Sequence, residues 1–239
     1  MKVIAVIPAL DEAGNIGDVV KGILAHVDVA VVVDNGSRDG TAEVARAAGG
    51  HVVVARERGY GNACLRGIEQ ARALGAEVIV FLDADGSDDP DDAPKLIAPI
   101  REGAADVVLG VRTAELTEPG AMTTTQRFGN WLAPRLMHLA VGADYRDMPP
   151  FKAIDRRALD RLSLDDRGHG FTIQLLLRAH GHRLRVREVA VRCRRRRTGA
   201  SKVSGTVIGT ARASVKILTT VARHGIALRR QHAEFRRNT

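Results

Sequence analysis

The sequence predicts an α/β fold in which a mostly parallel sheet is covered by helices on both faces. Short runs rich in Val and Ile alternate with helical stretches over residues 1–112. These runs are apolar throughout, as in strands that are buried on both faces. Polar residues, Gly and Pro collect where the runs end, and ligands of such sheets bind at the carboxyl ends of the strands.

The elements follow one another in a regular order. Strands are predicted at residues 2–8, 28–34, 50–55, 76–83 and 105–112, with helices near 14–26, 39–48, 61–74 and 91–101. The pattern then changes to a helix near 122–141, two shorter helical segments and an alternating strand at 182–191. Residues 204–230 have the spacing of one long basic amphipathic helix, which is typical either of packing on the protein's own core or of lying in a membrane interface.

Composition indicates a globular protein of the cytoplasm. Hydrophobic residues make up 45% of the 239 residues and charged residues 27%, as in ordinary soluble domains. The two cysteines, Cys64 and Cys193, suggest no disulfide framework. No run reaches the roughly 18 apolar residues of a spanning helix, and we expect neither a signal peptide nor a membrane span.

Charge divides the chain into two unlike halves. Residues 1–120 hold 11 Lys and Arg against 20 Asp and Glu, whereas residues 121–239 hold 25 against 8. A balance of −9 against +17 predicts anionic partners for the second half. Aromatic residues are only 3% of the chain, too few for base stacking. A phosphate-bearing ligand or an anionic membrane surface is therefore favoured over nucleic acid.

Four polar loops follow the first four strands. They contain Pro8 and Glu12, then "DNGSRDGT" (34–41), then "RERGYGNA" (56–63), and finally the acidic "FLDADGSDDP" (81–90). Any one of them is explained by turn and cap preferences, but four at one edge of a sheet favour a ligand site. Since no G-x-G-x-x-G follows the first strand, a dinucleotide site is not predicted.

Seven sequence blocks follow one another along the chain: "VIPALDEAGNI", "VVVDNGSRDGT", "RGYGNACLRGI", "VIVFLDADGSDDP", "VVLGVR", "MPPFKAI" and "GASKVSGT". In this order they resemble the blocks of family 2 glycosyltransferases of the Rossmann-like GT-A fold. Within that family they are most similar to bacterial relatives of dolichyl-phosphate-mannose synthase. The resemblance implies a GT-A domain over residues 1–203, with a nucleotide-sugar half (1–112) and an acceptor half (113–203). The amphipathic helix and tail (204–239) follow.

The resemblance also implies a divalent cation, Mg²⁺ or Mn²⁺, at the acidic loop. Asp85 is the predicted direct ligand, and Asp83 the predicted contact to the ribose or to a metal-bound water. Carboxylate and phosphate oxygens suit these hard cations. Ser87 stands where family members often carry a Gln ligand, so the third ligand stays open.

Further binding residues are implied only by matching motifs. Pro8 and Glu12 would line the nucleoside pocket, Asp34 would bond the base, and Arg58 and Gly61 would lie near base or ribose. The Arg-rich run 192–197 is either a solvated face or part of the loop in which Ser201 and Lys202 close over the diphosphate. The full predicted nucleotide-sugar set is Pro8, Ala9, Leu10, Glu12, Asp34, Gly36, Arg58, Gly61, Asp83, Ala84, Asp85 and Lys202.

One departure from the family pattern predicts the acceptor. Family members that glycosylate hydroxyls usually present Glu-Asp as the base at a helix start, where this chain has Phe171 and Thr172. A phosphate oxygen is already ionised and needs no base, so a polyprenyl phosphate is favoured. Arg112 would hold phosphate oxygens, or would be a surface arginine. His169 or Asp147 stays open as a base for a hydroxyl acceptor. The alternatives are that His169 is an ordinary loop histidine, and that Asp147 orients a phosphate-binding arginine or binds a water of the metal.

The sequence therefore predicts an inverting, metal-dependent transfer of a hexose from a UDP-glucose or GDP-mannose type of donor to a polyprenyl phosphate. We expect a cytoplasmic protein, peripheral at the inner face of the membrane. Two alternatives stay open: transfer to a soluble hydroxyl acceptor, such as a small glycoside or secondary metabolite, and a sugar-nucleotide or nucleic-acid binding module. Whether the chain forms a homo-oligomer is also left open.

Overall fold

A computed structural model describes residues 1–198 and Thr219. Lys202, Ser201 and the amphipathic helix predicted at 204–230 lie outside the described residues. Within the described part, none of the helices combines the length and the apolar character needed to cross a bilayer.

Seven strands form one mixed sheet in the order β3-β2-β1-β4-β6-β5-β7. All neighbours are parallel except β6, which runs antiparallel to both β4 and β5. This confirms the predicted α/β class with a mostly parallel sheet. The strands are β1 Val3–Ala9, β2 Val29–Asp34, β3 His51–Val54, β4 Val78–Phe81, β5 Val107–Thr117, β6 Lys152–Asp155 and β7 Val186–Cys193.

Helices cover both faces of this sheet. One buried cluster joins β1, β2 and β4 to α1 and α4, and a second joins the opposite face of the same strands to α3, α6 and α7. The apolar residues of β1, β2 and β4 are therefore buried on both sides, as their lack of alternation indicated, whereas the edge strand β3 is only partly buried. The helices are α1 Ile16–Leu24, α2 Thr41–Ala47, α3 Tyr60–Ala73, α4 Ala93–Arg101, α5 Thr124–Val141, α6 Arg156–Leu162 and α7 Phe171–Gly181.

Most predicted boundaries shift by up to about four residues, as for the strand predicted at 182–191 and observed at Val186–Cys193, and two further differences bear on the site. The helix expected near 91–101 is preceded by a separate 3₁₀ turn, Pro90–Asp92, which Asp89 caps by accepting the Asp91 N–H at 3.2 Å. Strand β5 runs five residues past Arg112, because its extension pairs irregularly with β7 as far as Thr117 and Cys193. Both differences arise at the edge of the sheet that carries the polar loops.

The antiparallel strand β6 was not predicted, and it shapes the site. Lys152 lies opposite Phe81 of β4 and Leu109 of β5. Because β6 runs antiparallel to β4, it begins at the edge of the sheet where β4 ends. The loop 147–151 that leads into β6 therefore reaches the same edge as the acidic loop. The motif "DMPPFKAI" thereby joins the carboxyl-end loops of the first half.

Close packing of α3 on β1 generates a stability prediction. Gly67 is buried on α3, and a Cβ there would overlap Cγ1 of Val6 and lie 3.1 Å from Cγ2 of Val33. These β-branched side chains are held within the sheet and cannot move aside cheaply. We expect Gly67→Ala to lower the free energy of unfolding by about 1–3 kcal/mol through overpacking, measured by urea denaturation.

Gly129 provides the matched control, since it is also a helix-interior glycine but has no atom within 4 Å of a built Cβ. Gly129→Ala should raise the free energy of unfolding by up to about 1 kcal/mol, the gain in helix propensity. Equal effects of the two substitutions would show that α3 does not pack on β1 as closely as described.

Candidate active site

A cleft of about 490 Å³ opens at the carboxyl ends of β1, β2 and β4. Its walls come from the loops after these strands, from the start of α7 and from one side of α5. Most of the predicted contact residues line it, namely Pro8, Ala9, Leu10, Glu12, Arg58, Asp83, Ala84, Asp85, Arg112 and His169. The structure thus brings together predicted side chains that are up to 161 residues apart in the sequence, from Pro8 to His169.

Four other predicted residues do not line this cleft. Asp34 ends β2 and accepts the Ser37 N–H at 3.1 Å, and Gly36 packs against Arg58, whose Nη2 donates to the Gly36 carbonyl at 2.8 Å. Gly61 is turned toward the loop 166–168, where its N–H donates to the Gly168 carbonyl at 3.1 Å. Asp147 lies behind Arg112, in the wall of a neighbouring cleft.

The acidic loop is organised by its own carboxylates. The buried Asp88 accepts the N–H of Asp83 at 3.0 Å, and Asp85 accepts the Ser87 N–H at 2.9 Å. Tyr60 Oη donates to Asp83 at 3.5 Å. These bonds fix the turn so that Asp83 and Asp85 both face the cleft.

Burial and mutual repulsion make negative charge on the aspartates of the acidic loop unfavourable. Burial, with added repulsion from Asp85 and Asp88, raises the pKa of Asp83 to about 8. The nearby ammonium of Lys152 is itself fully buried, held by the carbonyls of Pro149 and Pro150 at 2.9 Å each. A positive charge placed at the cleft side of the two aspartates would relieve this repulsion.

A divalent cation fits this donor set. Within residues 1–198 no group of three or more potential metal-ligating side chains occurs. Asp83 and Asp85 would supply one or two carboxylate oxygens, which is what Mg²⁺ sites commonly take from the protein while phosphate and water supply the rest. The side chains present therefore fit a cation that arrives with a diphosphate.

The loops around the nucleoside end of the cleft are tied to one another. Asn35 Oδ1 accepts the Gly59 N–H at 3.1 Å, which joins the loop after β2 to the start of α3. Glu12 donates its N–H to Thr41 Oγ1 at 2.8 Å, and its carboxylate accepts from Asn15 Nδ2 at 2.8 Å. The cleft wall is therefore built before any ligand enters.

Arg112 and Asp147 form a buried ion pair next to the acidic loop. Nε and Nη2 of Arg112 donate to the two Asp147 oxygens at 2.8 and 2.7 Å. The same carboxylate accepts the N–H groups of Arg112 and Met148. Although burial opposes a charge, the bond to Asp147 raises the pKa of Arg112. The guanidinium is thus permanently charged and fixed in orientation.

Arg112 also lines a second cleft, of about 830 Å³, on the other side of α5. The two clefts share Arg112 and Asn130. Three further cations, Arg127, Arg135 and Arg146, stand around the second cleft, and Asp144 and the Arg112-bound Asp147 are the carboxylates in its lining. An anionic group entering it meets a fixed arginine at the boundary with the first cleft.

The arginine run, for which a solvated face and a loop over the diphosphate were both left open, is largely paired with carboxylates of the first half. We call residues 192–198 the arginine strap; it crosses the carboxyl-end edge of the sheet. Thr198 at its end donates to Asn15 Oδ1 at 2.9 Å. The pairs are Arg192 with Asp89 and Asp92, Arg194 with Asp89, Arg196 with Glu12 and Asp85, and Arg197 with Asp18.

Sequence reasoning missed several residues of the first cleft. Tyr60 and Asn35 belong to loops that were recognised, and only their orientation was unknown. Arg196 was visible as one of a run, but nothing in the run distinguished it from its neighbours. The α5 residues carried no motif at all. The missed lining residues include Asn35, Tyr60, Thr125, Gln126, Asn130, Met148, Pro150 and Arg196.

Comparison with known proteins agrees with this geometry. The family model described as glycosyl transferase family 2 matches residues 4–165. An uncharacterized glycosyltransferase of Mycobacterium tuberculosis is 37% identical over 210 residues, which is 87% of this chain and 92% of the relative. The undecaprenyl-phosphate mannosyltransferase of Micrococcus luteus is 29% identical over 96% of both chains.

Among solved structures, glucosyl-3-phosphoglycerate synthase of Mycobacterium tuberculosis in complex with Mn²⁺, UDP-glucose and phosphoglyceric acid superposes with a TM-score of 0.71. It is 23% identical and aligns over 92% of this chain and 80% of its own. The likeness confirms the GT-A fold. Taken with the matches in sequence, it identifies the chain as a glycosyltransferase that belongs to glycosyl transferase family 2.

Proposed function

We propose that this glycosyltransferase moves a hexose from a nucleoside diphosphate sugar to a polyprenyl phosphate, with inversion at the anomeric carbon. The observation that carries the proposal lies at the start of α7. There Phe171 is fully buried, and Thr172 receives a bond from Lys152 Nζ at 3.4 Å. Of the described residues lining the first cleft, only Glu12, Asp83 and Asp85 carry carboxylates, and none stands on α7.

The donor occupies the first cleft in this proposal. Pro8, Ala9, Leu10 and Glu12 border the nucleoside, and Asp83 and Ala84 lie along the ribose and diphosphate. UDP-glucose is the favoured donor because the solved relative contains UDP-glucose with Mn²⁺, while the mannosyltransferase relative keeps GDP-mannose as the second choice. Asp34, Gly36 and Gly61 support the pocket from behind its lining.

Asp85, with Asp83, would hold Mg²⁺ or Mn²⁺ against the diphosphate. A cation bound there offsets the negative charge that develops on the departing nucleoside diphosphate. The Arg196 guanidinium, which lies 3.5 Å from Asp85, would border the same diphosphate. Lys202 stays a predicted phosphate contact.

The acceptor enters through the second cleft and meets Arg112. One of its phosphate oxygens attacks the anomeric carbon on the face opposite the diphosphate. The new C–O bond forms as the bond to the leaving diphosphate breaks, and the configuration inverts. A phosphate is already ionised near neutral pH, so no proton has to be removed during this step.

The environment of Asp147 argues against its use as a base. Both of its oxygens accept bonds from Arg112, and backbone N–H groups bind them as well. Its role in the proposal is to hold Arg112 charged and aimed at the acceptor phosphate. His169 stacks on Tyr60, with ring centroids 6.5 Å apart, and would border the bound sugar.

A second candidate is transfer to a small phosphorylated acceptor in solution. It is favoured by the solved relative, whose complexes contain phosphoglyceric acid together with UDP-glucose. Arg112 and its neighbouring cations would bind such a phosphate as readily as that of a lipid. In this case the attacking atom is a hydroxyl oxygen, and His169, which lines the first cleft, would serve as its base.

The cation prediction is tested through Asp85. We expect Asp85→Ala, and treatment of the wild type with EDTA, each to lower transfer by about 100-fold or more, because stabilisation of the leaving group is lost. Mn²⁺ should restore only the EDTA-treated wild type. Product formation from labelled nucleotide-sugar measures the effect.

Asp91→Ala is the matched control, since Asp91 belongs to the same acidic run but faces solvent and His26. Its activity should stay near that of the wild type. Undiminished transfer after EDTA or in Asp85→Ala would refute the metal role.

A second prediction separates orientation from base catalysis. Asp147→Asn should destabilise the fold by about 1–3 kcal/mol, because a charged bond to buried Arg112 is lost, and should raise the KM for the acceptor. His169→Ala should lower kcat by much less than the roughly 100-fold that a general base supplies. A loss of that size in His169→Ala would favour a hydroxyl acceptor instead.

A third prediction compares acceptors directly. With one donor, a short-chain polyprenyl phosphate in detergent should yield a phospholipid-linked sugar, whereas 3-phosphoglycerate should yield little product. The reason is that Phe171 and Thr172 stand at the start of α7, so this helix offers no carboxylate base, whereas Arg112 is fixed to bind a phosphate. Exclusive glycosylation of the soluble acceptor would overturn the lipid proposal and leave the transferase assignment intact.

A further inference from the structure

Helix α5 carries an exposed aromatic and aliphatic stripe. Phe128, Trp131 and Leu139 are 54%, 51% and 72% exposed, and they are the only large apolar side chains besides Met1 and Val54 to be so exposed in the described part of the chain. At 3.6 residues per turn, these three positions fall within an arc of about 80°. Single exposed apolar residues are ordinary, but a stripe on one helix marks an interaction surface.

The stripe has a definite internal structure. The rings of Phe128 and Trp131 stack with centroids 5.8 Å apart. Arg135 lies within the same arc, with its guanidinium 4.4 Å from the centre of the Trp131 ring and its Nη1 bonded to the Trp131 carbonyl at 2.9 Å. The opposite side of α5, with Ala133 and Met137, is buried in the core.

The charged side chains on α5 itself are all positive. Helix α5, Thr124–Val141, contains no Asp or Glu, and Arg127 and Arg135 project from it beside the second cleft. Arg146, which pairs with Glu188, stands on the same rim, so that the second cleft is lined by four arginines against two aspartates, Asp144 and Asp147. A second copy of this face would bring like charges together, whereas an anionic lipid surface complements them.

We propose that the α5 stripe docks the enzyme on an anionic phospholipid surface, with Phe128 and Trp131 inserted at the headgroup level. Aromatic rings and arginines are suited to this interface, since their apolar parts enter the lipid while their polar atoms stay hydrated. The surface differs from the basic helix at 204–230 that the sequence suggested for this role. That helix lacks Trp and Phe, and the aromatic anchors stand on α5.

The stripe lies beside the second cleft, so docking it on a membrane would bring that cleft to the lipid. This step rests on the proposed lipid-phosphate acceptor. Trp131 and Leu139 also line the second cleft, which reaches Arg112 and the donor cleft. With the stripe on the membrane, the mouth of the second cleft opens at the lipid surface. A phosphate in that surface then reaches Arg112 without its chain leaving the membrane.

The chain provides its own probe, because Trp131 is its single tryptophan. Trp emission of the full-length protein would be recorded with vesicles of phosphatidylcholine alone and with vesicles that also contain phosphatidylglycerol. We expect a shift to shorter wavelength, and quenching by brominated lipid, with the anionic vesicles. Phe128→Ser should lower the vesicle partition coefficient about tenfold or more, the effect of losing one buried aromatic side chain.

Val54→Ser is the matched control, because Val54 is 57% exposed on β3, an edge strand of the sheet, and does not belong to the stripe. The vesicle partition coefficient of this variant should equal that of the wild type. Phe128 lines neither cleft, so Phe128→Ser should keep wild-type transfer to a short-chain polyprenyl phosphate in detergent. Retained transfer together with lost vesicle binding supports the docking surface.

Two results would overturn it. One is Trp131 emission that does not respond to anionic vesicles, even if transfer in detergent succeeds. The other is emission that is already at short wavelength and protected from acrylamide without lipid, which would show that residues 199–239 or a second copy cover the stripe. Vesicle insertion without any transfer to lipid phosphate would uphold the surface and refute only the proposed acceptor.

Discussion

Charge compensation across the carboxyl-end edge of the sheet is the constraint on which the site depends. The parallel strands end in loops that concentrate carboxylates, several of them buried, such as Asp88, Asp89 and Asp92. Burying carboxylates without cations would be prohibitive. The arginine strap supplies cations from a distant part of the chain, and Lys152 and Arg112 supply them from within. The imbalance between the two halves of the sequence is thus in part an internal pairing and only in part a signal of partners.

Much of the architecture could be predicted because local pattern and burial agree in the first half. Strands such as Val29–Asp34 are uninterrupted apolar runs, and turn residues separate them from amphipathic helices. The loops that form the donor cleft were recognised for the same reason, since parallel strands bring their ends to one edge. Asp83, Asp85 and Glu12 face the cleft, as expected for polar loops at the carboxyl ends of parallel strands, whereas Asp34 and Gly61 lie behind its wall.

The features that could not be predicted depend on contacts between residues that are distant in the sequence. Such contacts produce no periodic pattern in it. Strand β6 is four residues long, too short to show a period, and its antiparallel insertion brings the 147–151 loop into the site. The pairing of Arg196 with Glu12 spans 184 residues. No local rule distinguishes Arg196 from the arginines beside it. The exposure of Phe128 and Trp131 was likewise unpredictable, because an amphipathic spacing does not say which side of a helix the core will take.

The position of Arg196 has a consequence for how tightly any ligand binds. Its guanidinium lies between Glu12 and Asp85, so a cation seeking Asp85 meets a competitor that is tethered to the same chain. A divalent cation that binds Asp85 therefore has to displace Arg196 or share the carboxylate with it. The contacts that the donor and its cation make would be offset in part by the internal ion pair that they break.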